Sequence, residues 1–495
     1  MAFQHGVRVQ EQATSLVAPI LGTAGLQVVF GTAPVNLAED PYSVTNTPVI
    51  AYSWAEAVKK LGYSQELNAL GHHKYTLCEA MYASFKLAAV APVIFVNVLD
   101  PKTHKKKNDP QTVTVEDMEA LVPLTGILLD TVKIKAVSGE GDAAAETDLA
   151  PDVDYILSFD DDGQLAVSLT PAGAGAAAAT LKVECTSIDP DAVDQWDIIG
   201  ASASGGEKGL EVLRQVYPRF GMTPGLLLAP GWSHIPDVGI ALAAKCVEIN
   251  GYFSCEGFID IDSTSEGCTS YDKVKMSKEA AGCTSIHIMA LWPCIEVGSQ
   301  RFWYSAIMAA VTAQLDASND DVPNLSPSNK LIGATGTVLA DGTEVILDQL
   351  QGNAVNSFGV TTAINNNGWK TWGNRTAAYP ANSDPKDMWF CCRRFFSWWG
   401  NSFILTYAQK VDDPADPRLI QAIVDTENIR GGAYVAQGKC AAAYIEFNAE
   451  ENAVTDLING KPTFHQHLAP YVPAEDILNI LEFDPDALSA ALTGG

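Results

Sequence analysis

One stretch of the sequence has the composition of a phosphate-binding loop. GASASGGEKG, residues 200–209, is rich in glycine and small residues. Gly205 is followed by Gly206 and Glu207, so the Lys-Ser/Thr pair that would hold phosphate and magnesium is missing. The stretch also lacks the G-x-S-x-G spacing of a nucleophile elbow. It therefore predicts neither nucleotide hydrolysis nor acyl transfer.

Two further patterns contain residue types that bind metals. His465 and His467 alternate along a predicted strand, so they share a face and could be two metal ligands. Without a nearby carboxylate or cysteine in the pattern, a packing or surface role is favoured. Asp160, Asp161 and Asp162 are consecutive, whereas calcium ligands alternate, so a hairpin turn is favoured there. The sequence predicts no catalytic residue, no cofactor and no metal site.

Composition and charge exclude several classes of protein. The 495 residues include 31 Lys and Arg against 59 Asp and Glu, a net charge of -28, which argues against binding to nucleic acid. The ten cysteines have no zinc-ligand spacing and are expected to be small core residues. The longest apolar run, residues 87–99, is too short to cross a bilayer, so we expect no stable membrane insertion. The first residues lack a signal-peptide pattern, so synthesis in a reducing cytoplasm is expected.

One window departs from the acidic background. Residues 365–410 contain six basic and two acidic side chains, a charge of +4, and five of the ten tryptophans. Trp389, Cys392 and Trp399 recur at helical spacing, with Phe396 and Phe403 in the same register, which predicts a core-facing helix. Arg393 and Arg394 fall largely on another face. We expect them to point toward water or an acidic partner.

Alternation of predicted elements indicates an α/β and α+β multidomain chain. Apolar strands and helices alternate before and after a region of short β-branched segments separated by turns, which reads as an inserted all-β domain. We predict the following organisation: a short N-terminal segment, 1–20; an α/β core, 21–104 and 196–350; an inserted all-β outer domain, 105–195; a C-terminal α+β domain, 351–472; and a short C-terminal segment, 473–495.

Both chain ends carry short apolar segments without an obvious local partner. GVRVQE alternates Val7 and Val9 with polar residues as a half-buried strand does, yet no hairpin turn follows it. The C-terminal segment has a similar apolar character, and its spacing fits either one strand face or one helix turn. Its apolar residues are Ile477, Leu478, Ile480, Leu481 and Phe483.

The chain resembles the tail sheath proteins of contractile-tailed bacteriophages, particularly those of temperate phages, over nearly its whole length. The most specific similarity is a G-x-x-x-W-G-x-R-T pattern, formed here by Gly368, Trp372, Gly373, Arg375 and Thr376. The inserted β domain matches only loosely. The other similar stretches are GVRVQE, GLEVLRQVYPRFGMTPGLLLAPGW at 209–232, FIDID, PSNKLIGATG at 327–336 and CCRRFFSWWGNSF.

The resemblance implies a structural subunit of the virion that has no enzymatic activity and no cofactor. In similar proteins the terminal segments, here 1–20 and 473–495, are exchange arms that add strands to sheets of neighbouring subunits. The resemblance also implies that the C-terminal domain, 351–472, is the inner, tube-facing domain, and that hexameric rings stack into a helical sleeve around a tail tube. The implied partners are further copies of the chain, the tail tube protein, and baseplate and tail terminator proteins, assembled in the host bacterial cytoplasm. Contraction would drive the tube through the bacterial envelope. Lys386, Arg393 and Arg394 are the candidates for contact with the tube.

Two alternatives remain at this point. The chain could be the sheath of a headless tailocin or of another contractile injection system, which the sheath sequence alone hardly distinguishes from a phage sheath. It could also be a cytosolic α/β enzyme that forms oligomers by exchanging its ends. A sheath is expected to form hollow tubes, and an enzyme small closed oligomers.

Overall fold

The structure is a computed structural model, and it describes residues 21–138, 145–203 and 206–493. Val7 and Val9 therefore lie outside the described residues. The α-helices of the described chain are α1 Trp54–Leu61, α2 Thr76–Tyr82, α3 Gln195–Ile199, α4 Val216–Phe220, α5 Pro236–Lys245, α6 Val274–Ala280, α7 Tyr304–Ala317, α8 Gln349–Asn356, α9 Pro385–Met388, α10 Phe390–Tyr407, α11 Pro417–Ala436, α12 Val454–Ile458 and α13 Pro485–Thr493.

The strands fall into one large sheet and several small ones. They are β1 Gln27–Gly31, β2 Pro48–Ala51, β3 Val93–Asn97, β4 Lys105–Lys107, β5 Gln111–Thr114, β6 Glu119–Val122, β7 Lys133–Ser138, β8 Ala145–Asp148, β9 Tyr155–Phe159, β10 Leu165–Leu169, β11 Thr180–Glu184, β12 Thr186–Ile188, β13 Ser202–Ala203, β14 Gly206–Glu207, β15 Leu226–Leu228, β16 Glu256–Asp260, β17 Ile288–Leu291, β18 Cys294–Val297, β19 Gln300–Phe302, β20 Gly336–Val338, β21 Val360–Asn365, β22 Trp369–Trp372, β23 Cys440–Glu446 and β24 His465–Pro470.

The large sheet has the strand order β2-β3-β1-β15-β16-β17-β21-β22. Its six inner strands run parallel, and β2 and β22 add antiparallel at the two edges. Strands β1, β3, β15, β16 and β17 are buried along their whole length, because helices cover both faces of the sheet. Strand β1 pairs with β15 across the β-rich insertion, so the two flanking segments build one sheet.

The large sheet extends beyond residue 350, where we expected the core to end. Strand β21 joins β17 in parallel register, with Ala290 opposite Val360, and β22 follows it as a hairpin partner. This pairing corrects the predicted boundary between 350 and 351. The residues of the G-x-x-x-W-G-x-R-T pattern therefore start at the edge of the large sheet.

The β-rich insertion forms small antiparallel sheets with a hydrophobic cluster of their own. One sheet has the order β6-β10-β9 and another the order β5-β11-β7-β8. The consecutive aspartates lie in the turn between β9 and β10, where the Asp160 carboxylate accepts the backbone N–H groups of Asp162 and Gln164 at 3.0 and 2.8 Å. The prediction of a hairpin turn at these aspartates is confirmed.

The C-terminal part combines two long helices with one hairpin. Helix α11 begins after Asp416, which caps it by accepting the N–H groups of Arg418 and Leu419, and Pro417 occupies the first helical position. The hairpin of β23 and β24 packs against α11. Within the described residues, no helix is long and apolar enough to cross a membrane.

Candidate assembly interface

The C-terminal segment that we expected to be a sticky arm is a large exposed apolar surface. Residues 471–484 form no helix or strand in the isolated chain, and α13 follows them. The segment, whose spacing fits either one strand face or one helix turn, forms neither in the isolated chain. The exposed fractions of Ile477, Leu478, Ile480, Leu481 and Phe483 are 83, 80, 80, 88 and 74%. Five apolar side chains within seven residues at such exposure are typical of a surface that binds a partner.

The hairpin of β23 and β24 has one edge that is covered and one that is open. On the outer side of β23, Asn428 of α11 bonds to both the N–H and the C=O of Ile445, at 2.9 and 3.1 Å. Strand β24 has β23 as its partner strand among the described residues, and all its residues are exposed or half-buried. An open strand edge presents unpaired N–H and C=O groups, which is where a further strand can add.

The two histidines singled out in the sequence lie on β24. The rings of His465 and His467 stack with centroids 4.6 Å apart, and His467 also stacks on Tyr444. The structure adds carboxylates that the sequence pattern did not reveal: Glu451 lies 3.0 Å from His465, and Glu446 lies 3.4 Å from His467. Even so, the described residues contain no group of three or more His, Cys, Asp or Glu side chains arranged to hold a metal ion.

The G-x-x-x-W-G-x-R-T residues perform structural tasks around the end of β22. Trp372 donates its indole N–H to the Asn353 side chain at 2.9 Å, and Thr376 donates its hydroxyl to the Asp387 carbonyl at 2.6 Å. Gly368, in the turn between β21 and β22, has a φ of +106°, which favours glycine. These contacts fix the path of the chain from the large sheet toward α10.

Arg375 of the same pattern connects the body of the protein to the C-terminal segment. Its guanidinium makes a bidentate ion pair with Glu475, in which Nε lies 3.0 Å from Oε1 and Nη2 contacts Oε2. The guanidinium also lies 3.7 Å from the centre of the Trp389 ring and 4.4 Å from that of Tyr379. Two aromatic rings and one carboxylate therefore hold a single guanidinium.

The three basic candidates for tube contact have different environments. Lys386 and Arg393 share the Asp387 carboxylate, at 2.5 and 3.1 Å. Burial alone would raise the pKa of Asp387, but the hydrogen bonds from Lys386 and Arg393 outweigh it and hold this pKa below its usual value. Lys386 is the most exposed of the three, and Arg393 is largely covered.

Arg394 does not reach the surface, which corrects the expectation that it contacts a tube; of the two environments expected for it, water or an acidic partner, it has the second. Its side chain is 1% exposed and pairs with Asp316 of α7, which is 2% exposed. Helix α10 is covered on more than one side, and its buried residues include Phe390, Phe395, Trp398 and Trp399. The helical spacing identified one buried face of α10, but it contained no sign of the second.

The carboxyl end of β16 lies at the edge of the sheet where α/β enzymes bind substrates, and here it is occupied by side chains of the protein itself. Asp260 at the end of β16 accepts the hydroxyls of Ser233 and Ser305 at 3.0 and 2.5 Å, and the Ser305 N–H at 2.8 Å. All three residues are at most 3% exposed. Burial raises the pKa of Asp260 to about 6, although these hydrogen bonds act in the opposite direction. The ten cysteines are buried and free of disulfide bonds, as expected.

Comparisons with known proteins give a consistent result. The chain is 25% identical over 473 residues to the tail sheath protein of Burkholderia phage BcepMu, covering 92% of each chain, and 24% identical over 290 residues to that of Escherichia phage P2, covering 57% of this chain and 69% of the relative. The cryo-electron microscopy structure of the sheath complex of PVC, an extracellular contractile injection system, in its contracted state has the same fold, with a TM-score of 0.57 at 14% identity over 99% of both chains. No protein family model matches the chain.

Proposed function

We propose that the chain is a contractile tail sheath protein, and that its copies polymerise by strand exchange into a sleeve around a tail tube. The sleeve consists of stacked hexameric rings, and its contraction drives the tube through a bacterial envelope. The observation that carries the proposal is the exposed apolar run from Ile477 to Phe483 in a chain that also has an open strand edge at β24.

The arm and the open edge supply complementary groups. A strand of six or seven residues added to β24 makes several main-chain hydrogen bonds, each contributing about 1 kcal/mol net. Each apolar side chain that becomes buried contributes about 1.5 to 3 kcal/mol more. The acceptor edge and the donor run lie in the same chain, so every copy can give one strand and receive another. The N-terminal segment with Val7 and Val9 is proposed as the second arm.

Contraction is proposed as a switch between two packings of nearly rigid subunits. The arms keep neighbouring copies joined while the bodies of the subunits move. The energy of contraction is stored in the polymer when it assembles, so contraction needs no nucleotide site. Lys386, with Arg393 beside it, is proposed to face the tube, because exposed charges cost little to separate. The proposed further partners are the tube protein, the baseplate and the tail terminator. The subunits are proposed to assemble in the cytoplasm of the host bacterium.

The second candidate function is the sheath of a headless particle. The fold is similar to that of a contractile injection system sheath, and this similarity supports a headless particle and a phage tail equally. Capsid and terminase genes beside the coding sequence would favour the phage, and their absence there would favour the headless particle.

Electron microscopy of the purified chain in negative stain tests the proposal. The intact chain is expected to form hollow tubes, whereas chains lacking residues 1–14 or 476–495 are expected to remain folded and dispersed. As a matched control, Leu350→Ser changes an exposed apolar residue outside the arms, 78% exposed, and should still form tubes. Small closed oligomers from the intact chain, with no tubes, would contradict the sheath function.

A further inference from the structure

The point where the N-terminal segment meets the body is held by α10. Trp398 donates its indole N–H to the carbonyl of Gly22 at 3.0 Å, and the Ser402 hydroxyl accepts the N–H of Gly22 at 2.9 Å. One turn earlier in the same helix, Arg394 donates to the carbonyl of Ala24 at 3.1 Å. Three side chains of one helix therefore satisfy the backbone of residues 22–24.

These bonds are buried in the interior of the protein. Residues 22–24, which we call the N-terminal root, are also held on their other side. Trp398 is 3% exposed and Ser402 is fully buried. Thr23 faces Thr223: the Thr23 N–H donates to the Thr223 hydroxyl at 3.0 Å, and the Thr23 hydroxyl donates to the Thr223 carbonyl at 2.5 Å. Hydrogen bonds shielded from water are strong and costly to break, so this root has one defined position.

The C-terminal segment is held at a single point near the other end of α10. Glu475 forms the bidentate pair with Arg375, whose guanidinium lies on the ring of Trp389, the residue immediately before α10. Residues 476–483 make no hydrogen bond or ion pair with the rest of the described chain. The exposed apolar run begins at Ile477, two residues beyond this clamp.

The N-terminal root and Glu475, which we call the C-terminal root, are therefore both attached to α10, which acts as one rigid element. Trp389 precedes the first residue of α10. Trp398 and Ser402 lie 9 and 13 positions after Trp389. At a rise of about 1.5 Å per residue these points are about 14 to 20 Å apart along the helix. Most residues of α10 are buried, so the helix cannot tilt without unpacking the interior.

We infer that α10 is the common anchor of both arms, and that it fixes the separation and direction of their exit points from each subunit. The inference rests on the proposed strand exchange with further copies of this chain. Arg375, Trp398 and Ser402 are then positioning residues: they touch the arm roots and not the neighbouring copy. The inference also gives a role to the tryptophan-rich, basic window, because Trp398, Arg394 and Arg375 of that window contact the two arm roots.

A test of the C-terminal clamp uses a nitroxide on the dispersed chain. The label is attached at Ile477→Cys; because the native cysteines are buried, unmodified protein serves as the labelling blank. Glu475→Gln removes one carboxylate charge from the clamp, and Asp476→Asn removes the same charge from a neighbour that forms no ion pair among the described residues. Only the first change is expected to increase the mobility of the label.

The N-terminal root is tested in the same way with a nitroxide at Leu21→Cys, a position that is 42% exposed. Trp398→Phe keeps the aromatic ring but removes the donor to Gly22. Trp399→Phe is the matched control, because its indole N–H lies beside Glu427 instead. If Trp398→Phe lowers the helix content, Ser402→Ala tests the same root through the N–H of Gly22.

The same substitutions without labels are then compared in tube assembly. Glu475→Gln and Trp398→Phe are each expected to raise the critical concentration about fivefold, which corresponds to the loss of about 1 kcal/mol of ordering per arm. The double variant Arg375→Gln/Glu475→Gln should be no worse than Arg375→Gln alone, because the two residues act through each other.

The two readouts separate failure of this inference from failure of the sheath function. Equal label mobility in Glu475→Gln and Asp476→Asn, or in Trp398→Phe and Trp399→Phe, overturns the anchor, whatever the intact chain assembles into. Absence of tubes from the intact chain overturns the sheath function but leaves the mobility result standing. Loosened roots with unchanged critical concentrations would show that the anchors do not position the arms for assembly, and would also overturn the inference.

Discussion

The guanidinium of Arg394 and the carboxylate of Asp316 form an ion pair in the interior of the protein, 78 positions apart in sequence. Nη1 lies 3.0 Å from Oδ1, Nη2 contacts Oδ2, and both side chains are at most 2% exposed. The pair joins α10 to α7. Because Arg394 also donates to the carbonyl of Ala24, it links these two helices to the root of the N-terminal segment.

Removing one partner of this pair should destabilise the protein severely. Arg394→Met keeps much of the side-chain volume but leaves Asp316 as an uncompensated charge away from water. The expected loss is about 3 to 5 kcal/mol in the free energy of unfolding, measured by urea titration. Arg418→Met, at an exposed arginine with no ion pair among the described residues, should change it by less than about 0.5 kcal/mol. Equal effects of the two substitutions would contradict the role of the pair.

The burial of Arg394 could not be predicted from the local sequence. Helical spacing predicted the helix from Trp389 onward and the burial of Cys392 and Trp399, and these predictions are confirmed. Phe396 and Phe403, predicted on the same core-facing stripe, are half-buried. It left the arginines to water or to an acidic partner, because a single amphipathic stripe is the usual arrangement, and it did not predict that Arg394 is buried. The second buried face exists because Asp316 approaches from α7. No local pattern records that a carboxylate from a distant helix will neutralise the charge.

Other parts of the fold were more accessible. The return of alternating strands and helices after Glu207 predicted that the parallel sheet resumes there, and β15, β16 and β17 join it. The exposed apolar residues from Ile477 to Phe483 were visible as a run without a partner. The clamp at Glu475 was not, since its partner Arg375 lies 100 positions earlier and the pair depends on the placement of Trp389.

Stability should depend on pH through Asp260. Its pKa is about 6 in the folded protein, against 3.8 for a free aspartate, so the folded state binds the proton more tightly than the unfolded state. Protonation therefore stabilises the fold. This contribution is fully present below the unfolded pKa and is lost as the pH rises through the folded pKa. The carboxylate is expected to cost up to about 3 kcal/mol at pH 7.

The comparison of wild type with Asp260→Asn isolates this effect. Between pH 7 and pH 4 the wild-type melting temperature should rise relative to that of the variant. Burial lowers the pKa of the nearby His234 to about 4, which acts in the opposite direction, but His234 is present in both proteins and cancels in the difference. Asp161→Asn, in the exposed turn after β9, is the matched control for the removal of one carboxylate. A difference that is constant across this pH range would contradict the raised pKa.

Gly373 should tolerate no side chain. Its φ is +130°, and a Cβ would lie 2.6 Å from Nδ2 of Asn356 and 2.9 Å from the Thr361 hydroxyl. Asn356 cannot move aside freely, because the same nitrogen donates to the carbonyls of Val360 and Trp372 at 2.9 and 2.8 Å. Gly373→Ala is therefore expected to lose about 2 kcal/mol or more, seen as a lower melting temperature.

A second glycine provides the matched control for Gly373. Gly400 lies in the middle of α10, is exposed, and has open space where a Cβ would be. Gly400→Ala should stabilise the helix by up to about 1 kcal/mol. If both substitutions shifted the melting temperature in the same direction and by similar amounts, the steric explanation for Gly373 would be wrong.

Deleting residues 476–495 should leave the melting temperature of the dispersed chain nearly unchanged while abolishing tube formation. The deletion begins just after the clamp at Glu475. The five apolar side chains from Ile477 to Phe483 that it removes are 74 to 88% exposed, and Leu488 and Leu492 of α13 are 47 and 77% exposed, so the isolated body loses little buried area. Calorimetry of the dispersed chain measures the first outcome, and negative-stain microscopy at matched concentration measures the second.

A longer deletion, from residue 471, also removes Glu475, so Arg375 loses its carboxylate. It should therefore lower the melting temperature, since a bidentate pair held between two aromatic rings contributes to the body itself. A large drop for the shorter deletion would mean that the segment packs on its own subunit, and the donor strand would then have to lie elsewhere in the chain.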